Sequence, residues 1–176
     1  TTSVMKTFSF IRSALFRRMS RKLKNISALQ KLVDHSKPSS ADLETYNVTT
    51  LRENVKKIDQ TQIEKIEEII NEFKPAIIIN RVRSKKDLLA GDNLVNLVKK
   101  YLDVELNYIG YIVESDKVRE SVEDMVPFLI KNPQSKPSEN LQQIIGTLTN
   151  TDLHLVKEDG RIYVSKQVRL NSGWDA

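Results

Sequence analysis

The stretch Ala76-Ile77-Ile78-Ile79, ending at Asn80, constrains this chain more than any other. A short apolar run rich in β-branched residues suits a strand buried on both faces, the kind found in parallel sheets. The residues before it predict an amphipathic helix. Thr61-Gln62-Ile63-Glu64 reads as a capping box, Ile63, Ile66, Ile69, Ile70 and Phe73 recur at helical spacing, and Pro75 closes the segment.

The pattern repeats downstream. Leu88, Leu89, Leu94, Leu97, Val98 and Leu102 predict a helix over 85–102, and residues 104–113 predict a second strand. Ser115 is placed to cap a third helix carrying Val118, Val122 and Met125. Pro127 and Pro133 bound a loop, and 138–149 read as a fourth helix. Such αβαβα alternation implies right-handed crossovers onto a parallel sheet with flanking helices. The tail departs from it. Leu153–Val156 and Arg161–Val164 flank Glu158-Asp159-Gly160, which predicts a C-terminal β-hairpin. The expected class is therefore α/β, with residues 1–150 forming the main domain and 151–176 a C-terminal extension.

The N-terminal segment predicts a long amphipathic helix over 3–32, with Ser3 as its N-cap. Val4, Phe8, Ile11, Leu15, Met19, Leu23 and Ile26 make its apolar stripe. Lys6, Arg12, Arg17, Arg18, Arg21, Lys22, Lys24 and Lys31 meet no acidic residue in that stretch, and the whole chain carries a net charge of +5. The helix reads either as a core helix with a charged outer face or as a basic surface for anionic membrane or nucleic acid. Residues 34–50 read as a polar loop around Pro38, and 48–58 as weakly amphipathic.

Several chemistries are excluded. The chain has no cysteine, so it has no disulfide framework, thiolate metal site or cysteine nucleophile. His35 and His154 are isolated and read as solvated surface residues. No run is long and apolar enough to span a membrane, and arginines interrupt the N-terminal apolar residues where a signal peptide would be continuous. These features favour a cytoplasmic location, with peripheral contact at the inner membrane as an extension of the basic-helix reading. The five glycines form no phosphate-cradling loop. Asn25-Ile26-Ser27 and Asn47-Val48-Thr49 match the glycosylation acceptor pattern only formally.

Ligands of open parallel sheets bind outside the carboxyl ends of the strands. Here those ends are Asn80-Arg81 and Val113-Glu114-Ser115. The Asn80 carboxamide presents an acceptor beside a donor, the complement of adenine's N6/N7 edge. It equally suits a residue that ends a strand. The cluster Arg81-Val82-Arg83-Ser84-Lys85-Lys86 reads as a phosphate-attracting site or as a solvated loop leading into a helix.

Taken in order, Ile77-Ile-Ile-Asn80-Arg-Val, Tyr101 to Val113, Val118-Arg-Glu-Ser-Val122, Pro127-Phe128 and Pro133-Gln-Ser135 resemble the C-terminal half of MinD/ParA-type ATPases. They are most similar to the MinD and FlhG-like branch that positions division sites and flagella. Thr2-Ser3-Val4 with Phe8-Ser9-Phe10-Ile11 resembles the segment after that family's central strand, and the resemblance covers about residues 2–148. It implies a deviant P-loop ATPase fold that dimerises around ATP and Mg²⁺. Asn80 would recognise adenine, with Arg81, Val113 and Glu114 at the base pocket. The family usually has proline at the place of Val113 and aspartate at the place of Ser115. Its glycine-rich loop, lysines and magnesium-binding aspartates would lie before Thr1, so this chain alone is expected to be catalytically inactive. The family's C-terminal membrane helix is not recognisable, and the hairpin and Trp174 stand in its place. The alternative is a non-enzymatic binding or dimerisation module.

Overall fold

The computed structural model describes residues 2–23, 47–158 and 161–168. In chain order they form α1 (Thr2–Lys22), α2 (Val48–Ile58), a 3₁₀ turn (Gln60–Gln62), α3 (Ile63–Glu72), β1 (Ala76–Val82) and α4 (Lys85–Leu102). There follow β2 (Asn107–Val113), α5 (Asp116–Glu123), α6 (Phe128–Lys131), α7 (Lys136–Thr149), β3 (Thr151–Glu158) and β4 (Arg161–Val168). β1 and β2 form a parallel pair, while β3 and β4 form a separate antiparallel one. The α/β class with flanking helices and a terminal hairpin is thus as expected. The described residues divide into two compact units, one made of those up to Ala76 together with 89–107, the other of 77–88 together with those from Tyr108 onward.

The first unit is helical because its apolar residues recur at helical spacing. Phe8, Ile11, Leu15, Phe16, Met19 and Leu23 are all buried along one face of α1. α1 packs on α3, which buries Ile66, Ile69 and Ile70, and α2 adds Val48, Leu51 and Val55. Arg52 of α2 grips Glu67 of α3 as a two-pronged fork, Nε to Oε1 and Nη2 to Oε2, both at 2.6 Å, and its Nη2 also reaches Asp103 at 3.0 Å. Arg18 and Lys22 both meet Glu72, at 2.7 and 2.5 Å.

Two capping expectations are corrected here. Ser3 lies inside α1, which already begins at Thr2. The Thr61–Glu64 box does not form. Asp59 instead accepts from the Thr61 backbone N–H at 3.0 Å and its hydroxyl at 2.6 Å, so a 3₁₀ turn precedes α3 and Gln62 occupies the N-cap position. The Asp59 carboxylate takes the Thr61 amide that Glu64 would have accepted, and the Thr61 hydroxyl is spent donating to the same carboxylate. Asn47 caps α2 through Oδ1 to the Thr50 N–H at 2.8 Å, so α2 starts inside the stretch read as loop.

In the second unit, β1 departs from the expected two-sided burial. Ile77 and Ile79 are half-buried, but Ile78 is 42% exposed, so one face of β1 is left uncovered, and among the described residues β1 has a sheet partner on one edge only. β2 begins at Asn107 rather than 104, with Val104 and Leu106 buried ahead of it. Gly110 of β2 has φ +147° and lies close against Ile144 of α7. On α5, Val122 is exposed and so is Met125 just beyond it, so the predicted stripe is not a core stripe and only Val118 is half-buried. Ser115 stands at the N-cap position of α5 without a capping side-chain bond. α7 ends on Asn150 in the left-handed region at φ 51°, a common helix stop.

The hairpin pairs Glu158 with Arg161 and Thr151 with Val168, as the Asp-Gly signal predicts. Asp159, Gly160, Trp174, His35, the Asn25 sequon, the extension of α1 to residue 32 and most of the predicted 34–50 loop lie outside the described residues, as does the side chain of His154. Among the described residues no helix is long and apolar enough to cross a membrane.

Candidate functional site

The carboxyl ends of β1 and β2 lie side by side. The Glu114 N–H donates to the Val82 carbonyl at 3.0 Å, while at the other end the Asn107 N–H donates to the Pro75 carbonyl at 2.9 Å. Bonds running in the same chain order at both ends are those of a parallel pair, so residues 80–83 and 113–114 are brought together.

A backbone irregularity shapes this end. Arg81 has φ 60°, an uncommon value for a residue other than glycine. Burial alternates along Ile77, Ile78 and Ile79, then Asn80 and Arg81 are both exposed and Val82 is buried. Regular pleating would turn Arg81 to the side of Ile77 and Ile79 and put Val82 outside. The left-handed residue shifts the phase by one, as a bulge does, and leaves two consecutive polar side chains outward. Asn80 Oδ1 accepts the Arg81 N–H at 2.9 Å, which supports the turn. Asn80 does not end β1, which runs on to Val82; its carboxamide instead braces the left-handed turn at Arg81, and its amide N–H₂ group is not part of that bond.

Arg81 and Arg83 both converge on Glu114. Arg81 Nε and Nη2 donate to Oε1 at 3.1 and 2.7 Å, Arg83 Nη2 donates to Oε1 at 3.0 Å, and Arg83 Nε donates to Oε2. The hydrogen bonds from Arg83 and then Arg81 hold the Glu114 carboxyl down at about 2, far below its ordinary value, so it stays ionised at neutral pH. The Arg81–Lys86 stretch is thus neither a bare phosphate site nor a wholly solvated loop.

The start of α4 is closed by its own side chain. Asp87 Oδ2 accepts the backbone N–H groups of Arg83 and Ser84, each at 2.8 Å. Those bonds lower the Asp87 carboxyl from its usual range. Asp87 thus reaches back as the acidic member of a capping box does, while the Ser84 hydroxyl donates to Asp87 at 3.3 Å instead of accepting its amide; the Ser-x-x-Asp spacing of this half-box is readable in the sequence.

Val113 is tied from the other side. Its N–H points away from β1 and donates to Oδ1 of Asn140 on α7 at 3.3 Å. Asn140 is buried, so this carboxamide terminates the outer edge of β2. β1 has no second sheet neighbour among the described residues. All four sequence-predicted residues, Asn80, Arg81, Val113 and Glu114, stand at one end of the sheet, and the structure adds Arg83 and Asn140.

Compared with protein-family models, curated proteins and solved structures, the chain finds no match.

Proposed function

We propose that this chain is the adenine-binding half of a MinD/ParA-like, ATP-binding ATPase used in spatial positioning, its phosphate-binding loop lying outside these residues. The observation that carries this reading is the junction of the two parallel strand ends, where Asn80 is exposed near Val113 and Glu114 and its carboxamide braces the bulge at Arg81. In open α/β sheets that is where ligands bind. ATP would be held on its base by the Asn80 carboxamide, with the Val113–Glu114 backbone beside it. Among the described residues β1 has a sheet partner on one edge only, which fits a sheet that continues past that strand, and a helix crossing over to a further parallel strand would cover Ile78. Phosphoryl transfer needs magnesium and phosphate-binding groups that this reading assigns elsewhere, in a protein acting as a homodimer in the cytoplasm.

Saturation-transfer NMR with adenosine and guanosine tests the base site. Adenosine protons should show contact with the chain, guanosine protons should not, and Asn80→Ala should abolish the adenosine signal. An adenosine signal that persists in Asn80→Ala would count against the reading. So would magnesium-dependent ATP turnover by the purified 176-residue chain.

A second reading has its own observation. Lys6, Arg17 and Arg21 on the outer face of α1 pair with no carboxylate among the described residues. Beside them a groove of about 300 Å³ is lined by Phe10, Ser13, Ala14, Arg17, Arg18, Arg21 and Phe73. The apolar face of α1 is buried in its own unit, so this helix would offer a polyanion charge rather than membrane insertion. Binding to DNA or anionic vesicles that weakens steeply with salt, and is lost when Arg17, Arg18 and Arg21 are neutralised, is the test.

A further inference from the structure

The end of the sheet holds a feature that base recognition leaves unused. Two guanidinium groups are turned onto one carboxylate, and both arginine side chains remain 69% exposed while that of Glu114 is 26% exposed. The three groups together keep one positive charge. A guanidinium has five N–H donors, and Arg81 and Arg83 each spend only two of theirs on Glu114. Two oxygens and one negative charge therefore underfill this receptor. A phosphoryl group brings three oxygens and up to two negative charges, and matches the planar forks of two arginines better than a carboxylate does.

The geometry around the pair narrows the ligand further. Asp87 already takes the Arg83 and Ser84 amides just ahead of α4, so the anion would be held by the arginine side chains rather than by those amides. The left-handed backbone at Arg81 is what brings its side chain to the same outer side as Asn80. Without that turn regular pleating would carry both arginines to the side of Ile77 and Ile79, away from Asn80.

We propose that Arg81 and Arg83 form a receptor for a phosphoryl group, and that Glu114 occupies it until such a group displaces its carboxylate. Glu114 is then a built-in competitor that keeps the receptor closed to weak anions. The proposal does not depend on the adenine reading, since inorganic pyrophosphate fits it as well as a nucleotide does.

The test is calorimetric titration of the full chain with pyrophosphate at low salt. Glu114→Gln removes the competing charge at nearly constant shape and should tighten binding by about tenfold or more. Adding Arg83→Gln, or Arg81→Gly, which suits the left-handed backbone, should cancel that gain. No tightening in Glu114→Gln, or a gain that survives Arg83→Gln, overturns the proposal. Should Glu114→Gln fail to fold, the wild-type chain decides. Its Arg81 and Arg83 Nε–H NMR signals should shift with added pyrophosphate, and their invariance overturns the idea. A parallel titration with ADP separates the sources. Tighter binding than pyrophosphate that requires Asn80 marks a nucleotide, equal binding marks the phosphoryl group alone, and both uphold the receptor. Failure of the adenosine experiment with success of this one would remove the base site and leave the receptor standing.

Discussion

Gly110 and Ile144 leave no space for a methyl group between them: a Cβ at position 110 would stand 2.7 Å from Cγ1 of Ile144. The φ of +147° at Gly110 is also one that other residues rarely adopt. Gly110→Ala should therefore destabilise the protein by about 1–3 kcal/mol, through overpacking and backbone strain together. Denaturant midpoints measure it. Ile144→Ala opens the same space, so the double variant should cost less than the sum of the two single ones. Strict additivity would show that the contact is not what forbids a side chain here.

Asn140 controls the outer edge of β2. It is buried and its Oδ1 is the partner of the Val113 N–H. Asn140→Leu removes that acceptor and leaves a backbone donor without a bond, which should cost about 1–3 kcal/mol. Amide hydrogen exchange should show the Val113 N–H losing protection more than its neighbours in β2. Unchanged protection there would sink this assignment.

Arg12 sits on the apolar face of α1 with only 3% of its surface exposed, stacked over the Phe8 ring at 5.8 Å from the centroid. Its Nε and Nη1 have no hydrogen-bond partner among the described residues. Burial pushes the Arg12 pKa down, the mark of a charge held at a cost. Arg12→Met keeps the long stem and removes the charge, and should raise stability by about 1 kcal/mol or more. A fall in melting temperature would mean that the guanidinium contributes more through the Phe8 ring than it loses by desolvation.

Acid should loosen the sheet end. A carboxyl whose folded pKa lies below its unfolded value contributes stability above the unfolded value and loses it as pH falls through the folded one. Glu114 falls to about 2 from an unfolded value of about 4.3, so its contribution should fade between about pH 5 and pH 2. Asp87, Glu72, Asp59 and Asp103 are lowered as well and add to the same acid limb. Urea midpoints across that range should fall more steeply for the wild type than for Glu114→Gln. A constant gap between the two down to pH 2 would contradict the assignment.

Much of the architecture was legible in the residues. The stripes of α1, α3 and α4, the parallel pair and the Asp-Gly hairpin all follow from short-range spacing. The places where reading failed are those where a distant or competing group intervened. Thr61 lost its capping role to Asp59, two positions away. Val122 and Met125 fit a helical stripe but are exposed, since spacing tells which residues share a face and not whether the face is covered.

The site divides in the same way. The sequence by itself determined that Asn80, Arg81, Val113 and Glu114 lie toward the carboxyl ends of two strands, because strand patterning is encoded within a few neighbouring residues, although β1 runs two residues past Asn80. Only the tertiary structure decided that Arg81 adopts a left-handed backbone, that Arg81 and Arg83 close on Glu114 more than thirty residues away, and that Asn140 takes the Val113 N–H. It also decided that Arg12 is buried with the apolar face of α1 rather than displayed with the other cations. The reason is physical. Periodicity and caps are local energies, whereas ion pairing, bulges and burial depend on the register and packing of elements far apart in the chain.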